Sequence, residues 1–173
     1  MAAQNKEPDS VQGFKQSGLA WLWLALLVLV LDQFSKQLAL AWLEYAQPVR
    51  LLPVFDLTLL YNKGAAFSFL ATQEGWQRWF FSLIAIAVGG YLLHWLSKIS
   101  RAERVLSIAL ALILGGALGN LVDRLLLGYV IDFISLHWQH HYYPAFNIAD
   151  SAITVGAVLL LWDSFVASRK PSS

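Results

Sequence analysis

The sequence has 173 residues, of which 58% are hydrophobic and 13% charged, with a formal net charge of +1 and a mean hydropathy of +0.56. Soluble domains run at roughly 45–50% apolar and about 25% charged residues, so this composition excludes an ordinary water-soluble domain. No Lys/Arg-rich block offers a nucleic-acid surface, and the absence of cysteine excludes disulfides, thiolate metal sites and a cysteine nucleophile.

A helix that crosses a bilayer needs about 20 mostly apolar residues. Four stretches qualify, at roughly 19–43, 79–97, 105–122 and 150–167, and Pro8, Pro48, Pro53, Pro144 and Pro171 all lie outside them. The first follows a polar head. With Lys15 ahead of it and Ala39-Leu40-Ala41 near its end, it has the outline of a cleavable signal peptide. Asp32, Gln33, Ser35 and Lys36 interrupt it, however, and the apolar pattern resumes through Trp42-Leu43, so it reads as a retained span. Asp32 and Lys36 are four apart and share a helix face. They are either an ion pair near the outer interface that lets the helix end locally, or support for a site.

The first outer loop contains Val54 to Tyr61, where Phe55, Leu57, Leu59 and Tyr61 alternate with Asp56 and Thr58 in a period-two strand pattern. Ala65 to Leu70 is apolar and suits an interfacial loop. After the second span comes a basic turn with Lys98, Arg101 and Arg104.

The third span ends in Gly115-Gly116-Ala117-Leu118-Gly119-Asn120-Leu121-Val122-Asp123-Arg124. Gly115 and Gly119 form a G-x-x-x-G pair that permits close helix approach. If the helix continues, Asn120, Asp123 and Arg124 share a face. They are then either a solvated helix terminus or a site.

The second outer loop opens with another candidate strand, Tyr129 to Leu136, in which Asp132 is flanked by apolar residues. Dehydration there raises a carboxylate's pKa and suits a proton donor, although an edge-strand aspartate is the commoner explanation. Trp138 to Tyr143 is aromatic and suits the interface. His137, His140 and His141 fall in or beside it but lack the H-E-x-x-H pattern of a metal site.

The fourth span begins at Phe146-Asn147-Ile148-Ala149-Asp150. Asn147 or Asp150 can cap its free N–H groups. Asp132 and Asp150 flank one loop, and two carboxylates that met there would share a proton. Spacing alone does not bring them together.

Lys6 and Lys15, the basic turn, and Arg169 with Lys170 share one side of a four-span chain, which the positive-inside rule makes cytoplasmic. Trp21, Trp23, Trp95 and Trp162 then fall near the inner interface, and Trp42, Trp76, Trp79 and Trp138 near the outer one. The expected fold is an all-α membrane protein, a single integral domain over 1–173, with a small extracytoplasmic β element and an interfacial loop. A transporter or channel would spread its ionisable groups through the bilayer depth. Here they cluster at the outer ends, which favours surface chemistry. An enzyme acting on lipid headgroups, with Arg124 and the histidines in its site, remains a further reading.

Five blocks carry a resemblance: Asp32-Gln33-Phe34-Ser35-Lys36, Tyr61-Asn62-Lys63-Gly64-Ala65-Ala66-Phe67, Gly119-Asn120-Leu121-Val122-Asp123-Arg124, Val130-Ile131-Asp132-Phe133 and Phe146-Asn147-Ile148-Ala149-Asp150. In this order and spacing the chain resembles bacterial lipoprotein signal peptidase (signal peptidase II), an intramembrane aspartyl endopeptidase family. The resemblance implies that Asp132 and Asp150 are a catalytic dyad. It implies removal of signal peptides from prolipoproteins, with cleavage before a diacylglyceryl-modified cysteine. Asp32, Lys36, Asn62, Asn120, Asp123, Arg124 and Asn147 would support the dyad or hold substrate. Gly64 would let the first outer loop approach the substrate backbone.

The resemblance further implies no metal or cofactor, inhibition by globomycin-type cyclic peptides, and contact with membrane lipid. The setting it implies is the bacterial cytoplasmic (inner) membrane, with the site at the outer, periplasmic face. The chain is expected to act as a monomer without nucleic acid. From their contexts, Asp150 at a helix N-terminus is the expected base and Asp132 the holder of the shared proton.

Overall fold

The computed structural model of the protein describes Gly13 and residues 16–64, 75–139 and 141–169. The expected interfacial loop at 65–70, His140, Lys6, Lys15 and Lys170 lie outside those residues.

A single 3-10 turn, Gly18–Trp21, leads into α1 (Leu22–Trp42), followed by α2 (Trp76–Lys98), α3 (Arg104–Leu126) and α4 (Ile148–Ser168). Each is long and apolar enough to cross a membrane. Their outward faces are apolar and exposed, as with Leu26, Val30 and Phe34 on α1, Leu83 and Ile86 on α2, and Leu161 on α4. Such faces suit a lipid solvent, where apolar exposure is not penalised.

Helix α3 is the central one, with 56% of its most apolar stretch buried against 11% for α4. Small residues put it there. A Cβ on Gly115 would come within 2.6 Å of the Ala25 carbonyl of α1, and one on Gly116 would strike Ala149 of α4. Bare backbone on two sides of α3 therefore lets α1 and α4 pack closely, as small residues do between membrane helices.

One expectation is corrected here, and one condition is met. Lys36 does not mark a local end of α1, which runs on to Trp42 because the Asp32–Lys36 pair turns inward while Phe34 and Leu40 face outward. Helix α3 also continues through Asp123 and Arg124, past the apolar stretch, so Asn120, Asp123 and Arg124 do share a face.

Over the ends of α1, α3 and α4 lies an antiparallel sheet in the order β1 (Val49–Leu52), β2 (Phe55–Asn62), β3 (Val130–Trp138) and β4 (His141–Tyr142). It is seated by a cluster in which Leu59, Ile131 and Phe133 pack on Ala39 of α1, with Leu43 and Ile148 around them.

The simple period-two reading of β2 does not hold. Asp56 is buried while Phe55 and Leu57 are only half-buried. The β2–β3 register shifts between Leu57 and Leu60, and a bulge of that kind interrupts the alternation of faces. Beyond it, Leu60 pairs with Asp132 and Asn62 with Val130, which sets Asn62 and Asp132 on the same face. The aromatic segment after Trp138 folds back as a short hairpin through Gln139, at φ 54.

Candidate active site

The foundation is a set of charges buried between α1 and α3. Lys36 has no solvent exposure, and its ammonium meets Asp32 Oδ2 at 2.7 Å, Asp123 Oδ2 at 2.9 Å and Asn120 Oδ1 at 3.1 Å. An ammonium has three protons, so all of them are used. Gln33 Nε2 donates to Asp123 Oδ1 at 2.8 Å and to the Gly119 carbonyl at 3.1 Å. Gly119 is required at this point, because a Cβ there would sit 2.5 Å from Asp32 Oδ2.

The same carboxylates reach out to the site-bearing elements. Asp32 Oδ1 accepts the backbone N–H of Ala149 at 2.9 Å, in the first turn of α4. Asp123 Oδ2 accepts the Ile131 N–H at 3.0 Å, the residue before Asp132 on β3. One buried lysine thus ties together α1, α3, the start of α4 and the strand that carries Asp132.

Asn147 is the N-cap of α4 and has no solvent exposure. Its Oδ1 accepts the Asp150 N–H at 2.9 Å, while Asp150 Oδ2 accepts the Asn147 N–H at 3.3 Å, a reciprocal capping box. The capping reading of both residues therefore holds together with their place in a cluster. Asn147 Nδ2 donates to Asp132 Oδ1 at 2.8 Å and contacts the Ile131 carbonyl and Asn120 Oδ1, each at 3.1 Å. Asn120 Nδ2 in turn donates to Asp150 Oδ1 at 2.7 Å. Asn62 Nδ2 donates to Asp132 Oδ2 at 3.0 Å.

Asp132 and Asp150 are thus brought together through shared amide partners. Burial, and then the charge of Asp150, raise the Asp132 pKa from the ordinary 3.8 to about 7, against the opposing pull of the Asn62 and Asn147 hydrogen bonds. Such a group exchanges its proton near neutral pH beside a second carboxyl, the arrangement needed for acid–base work on one substrate.

Asp150 also lines a cavity of about 390 Å3 with Leu136, Tyr143, Phe146, Ser151 and Val155. On another side, Arg124 lies with its guanidinium 5.2 Å from the centre of the Phe81 ring and its Nη1 3.4 Å from the Asn120 carbonyl. Gly64, at φ +88, packs against the same Phe81, and its N–H donates to Asn62 Oδ1 at 2.8 Å.

All ten residues singled out from the sequence therefore fall in one connected region: Asp132, Asp150, Asp32, Lys36, Asn62, Gly64, Asn120, Asp123, Arg124 and Asn147. Gln33 and Phe81 belong to it and were not singled out. A polar Gln33 directly beside Asp32 in a span was a usable signal; nothing in an apolar helix distinguishes Phe81. His137 instead meets Asp56 at 3.3 Å and stacks on Tyr142. Among the described residues no three potential ligands gather as a metal site would require.

Comparison with known proteins gives the family of the chain. The sequence profile of Signal peptidase (SPase) II matches residues 24–166. A lipoprotein signal peptidase of Pseudomonas fluorescens is 58% identical over 164 residues, covering 94% of this chain and 95% of that protein. One from Aeromonas hydrophila is 54% identical over 156 residues, with 90% and 93% covered. A solved bacterial membrane enzyme, 28% identical, superposes with a TM-score of 0.76 over 89% of this chain and 93% of its own. A multi-pass membrane protein with this helical frame, matched over nearly its whole length, belongs to the signal peptidase II family.

Proposed function

We propose that the chain removes signal peptides from prolipoproteins as an aspartyl endopeptidase, with Asp132 and Asp150 as its catalytic dyad, cutting before a diacylglyceryl-modified cysteine. The supporting observation is Asn147, a single buried side chain that donates to Asp132 and holds the backbone of Asp150. It ties two carboxyl groups to one amide, and Asp150 opens onto a largely apolar cavity whose lining residue Val155 is exposed on α4. A lipid-anchored substrate presents its scissile bond at this depth.

In this reading Asp150 takes a proton from water as the oxygen attacks the scissile carbonyl carbon. Asp132 gives its proton to the carbonyl oxygen, and a gem-diol forms. As the gem-diol collapses, Asp132 recovers a proton from a hydroxyl, the C–N bond breaks, and Asp150 protonates the departing amine. Asn62, Asn120 and Asn147 hold the carboxyl groups in place. Arg124, whose fork of donors suits planar oxygen groups, holds a peptide carbonyl or a lipid phosphate, and Gly64 brings the first outer loop against the substrate backbone. Globomycin-type cyclic peptides compete for the same cavity.

The chain is one integral domain acting as a monomer in the bacterial inner membrane. The basic ends around Lys98, Arg101, Arg104 and Arg169 face the cytoplasm, and the dyad faces the periplasm.

The test is cleavage of a diacylglyceryl-modified precursor by purified protein. Asp132→Asn and Asp150→Asn should each lower the rate by about 10³-fold or more with unchanged helical content, and a chelator should have no effect. Processing that persists in either variant rejects the dyad. Cleavage should also fall as pH rises past about 7, where Asp132 loses its proton. In a neutron structure of an inhibitor complex the shared proton should lie on Asp132; a proton on Asp150 reverses the roles.

A further inference from the structure

The end of the bundle away from Asp132 and Asp150, where α1 and α3 begin, holds a cavity of about 650 Å3 lined by Gln16, Trp21, Ser100, Arg101, Ala102 and Arg104. Its walls are fixed by backbone hydrogen bonds between the chain ahead of α1 and the α2–α3 turn. Gly18 N donates to the Ile99 carbonyl at 2.9 Å, and Arg101 N to the Gln16 carbonyl at 2.8 Å.

Arg101 and Arg104 make no ion pair among the described residues. The carboxylate between them in sequence, Glu103, is engaged by the Ser100 N–H at 2.9 Å. Trp21 adds an indole N–H that is shielded from solvent and has no acceptor. Two exposed guanidinium groups without an ion pair, beside an unmatched indole donor, suit an anion with several oxygens. Arginine meets phosphate with paired N–H donors.

The chain leads from this cavity directly to an apolar one. Trp21 lines the first, and the next residue, Leu22, lines a groove of about 530 Å3 bounded by Leu26 of α1, Gly90 and Leu93 of α2, and Leu114 of α3. Gly90 leaves open space where a side chain would stand. A basic cavity at a helix end, continued by an apolar groove at hydrocarbon depth, has the polarity profile of a phospholipid. Basic pockets between membrane helices on the cytoplasmic side take anionic headgroups.

We infer that this region binds one anionic phospholipid in the leaflet opposite the proposed dyad, its phosphate on Arg101 and Arg104 and an acyl chain in the α1–α2 groove. The site is independent of the cleavage chemistry. It is tested on the full chain in detergent by native mass spectrometry, with phosphatidylglycerol, phosphatidylcholine and inorganic phosphate as probes.

The wild type should retain phosphatidylglycerol over phosphatidylcholine. Arg101→Gln and Arg104→Gln should each weaken it about fivefold, and the pair about 25-fold, taking about 1 kcal/mol per basic residue. Gly90→Leu should weaken lipid binding by filling the groove. Lys98→Gln removes the same charge nearby but outside the cavity, and should leave binding unchanged; a loss equal to that of Arg101→Gln would mean diffuse attraction and overturn the site. Inorganic phosphate that displaces the lipid, or lipid retention that Gly90→Leu leaves unchanged while both arginine variants lose it, would remove the acyl chain from the groove and assign the cavity to free phosphate instead. All these variants should cleave precursor in detergent at the wild-type rate, so a negative binding result leaves the dyad reading untouched.

Discussion

Among the described residues, two clusters of buried ionisable side chains are satisfied to different degrees. Between α1 and α3, Lys36 spends its three protons on Asp32, Asp123 and Asn120, and both carboxylates accept further N–H bonds. In the sheet, Asp56 and His137 approach to 3.3 Å without aligning as a hydrogen bond. Neither ring nitrogen of His137 nor Oδ1 of Asp56 has a hydrogen-bond partner in the protein. Arg50 stands 3.8 Å from Asp56 with its side chain 69% exposed.

The difference follows depth. Inside a bilayer an unmatched polar group costs several kcal/mol, so the helical charges must be matched within the protein. The sheet stands beyond the helix ends, where the demand relaxes. The helical group also has more to hold, since it joins α4 and β3 to α1 and α3.

The largest expected effect tests the matched group. Lys36→Met keeps the volume but leaves Asp32 and Asp123 buried without their cation, and should cost about 3–5 kcal/mol. Chemical unfolding in detergent micelles would measure it. Neutralising the group together, as Asp32→Asn/Lys36→Met/Asp123→Asn, should recover much of the loss in stability while cleavage stays impaired, because the tie to the α4 N-terminus is weakened. A loss below about 1 kcal/mol for Lys36→Met would erase the contrast between the two groups. A smaller effect comes from packing. Gly119→Ala puts a methyl against the Asp32 carboxylate, and overpacking of this kind costs about 1–3 kcal/mol.

Asp132 sharpens the comparison from between the two groups, being held by amides on both oxygens yet raised to a pKa of about 7. A carboxyl whose folded pKa exceeds its unfolded value keeps a proton that the unfolded chain releases. Stability should therefore fall as pH rises from about 4 to about 7, by up to about 1.4 kcal/mol per pH unit, and level off above. Unfolding midpoints across that range should show the slope in the wild type and lose it in Asp132→Asn.

The same physics decides what can be read from the sequence. The four helices are legible because a bilayer requires long apolar runs, and the polar residues inside them stand out because each is costly there. Asp32, Lys36, Asn120 and Asp123 are visible for that reason. The sheet is less legible. Alternation announces β2, but the shift between Leu57 and Leu60 that buries Asp56 depends on pairing with β3, which lies some seventy residues away. Phe81 is one aromatic among many on an apolar helix, and its contact with Arg124 arises only when α2 packs on α3. The lysine hub was visible as a pair four residues apart; that it also reaches α4 and β3 required the tertiary structure.

The smallest expected effect belongs to the sheet pair. Asp56→Asn removes a carboxylate that lacks a partner on one oxygen, and Asp56→Leu/His137→Phe removes both polar groups from a buried position. Deleting both members of an imperfectly matched buried pair is nearly neutral or stabilising, because the desolvation cost disappears with the interaction. Stability should change by less than about 1 kcal/mol, or rise. Cleavage should stay within about twofold of wild type, since Asp132 is held by Asn62, Asn147 and the Asp123–Ile131 bond rather than by the far end of β3. A loss comparable to that of Lys36→Met would show that Asp56 and His137 are matched in the folded protein as tightly as the helical charges. Depth in the membrane would then no longer explain the difference between the two regions.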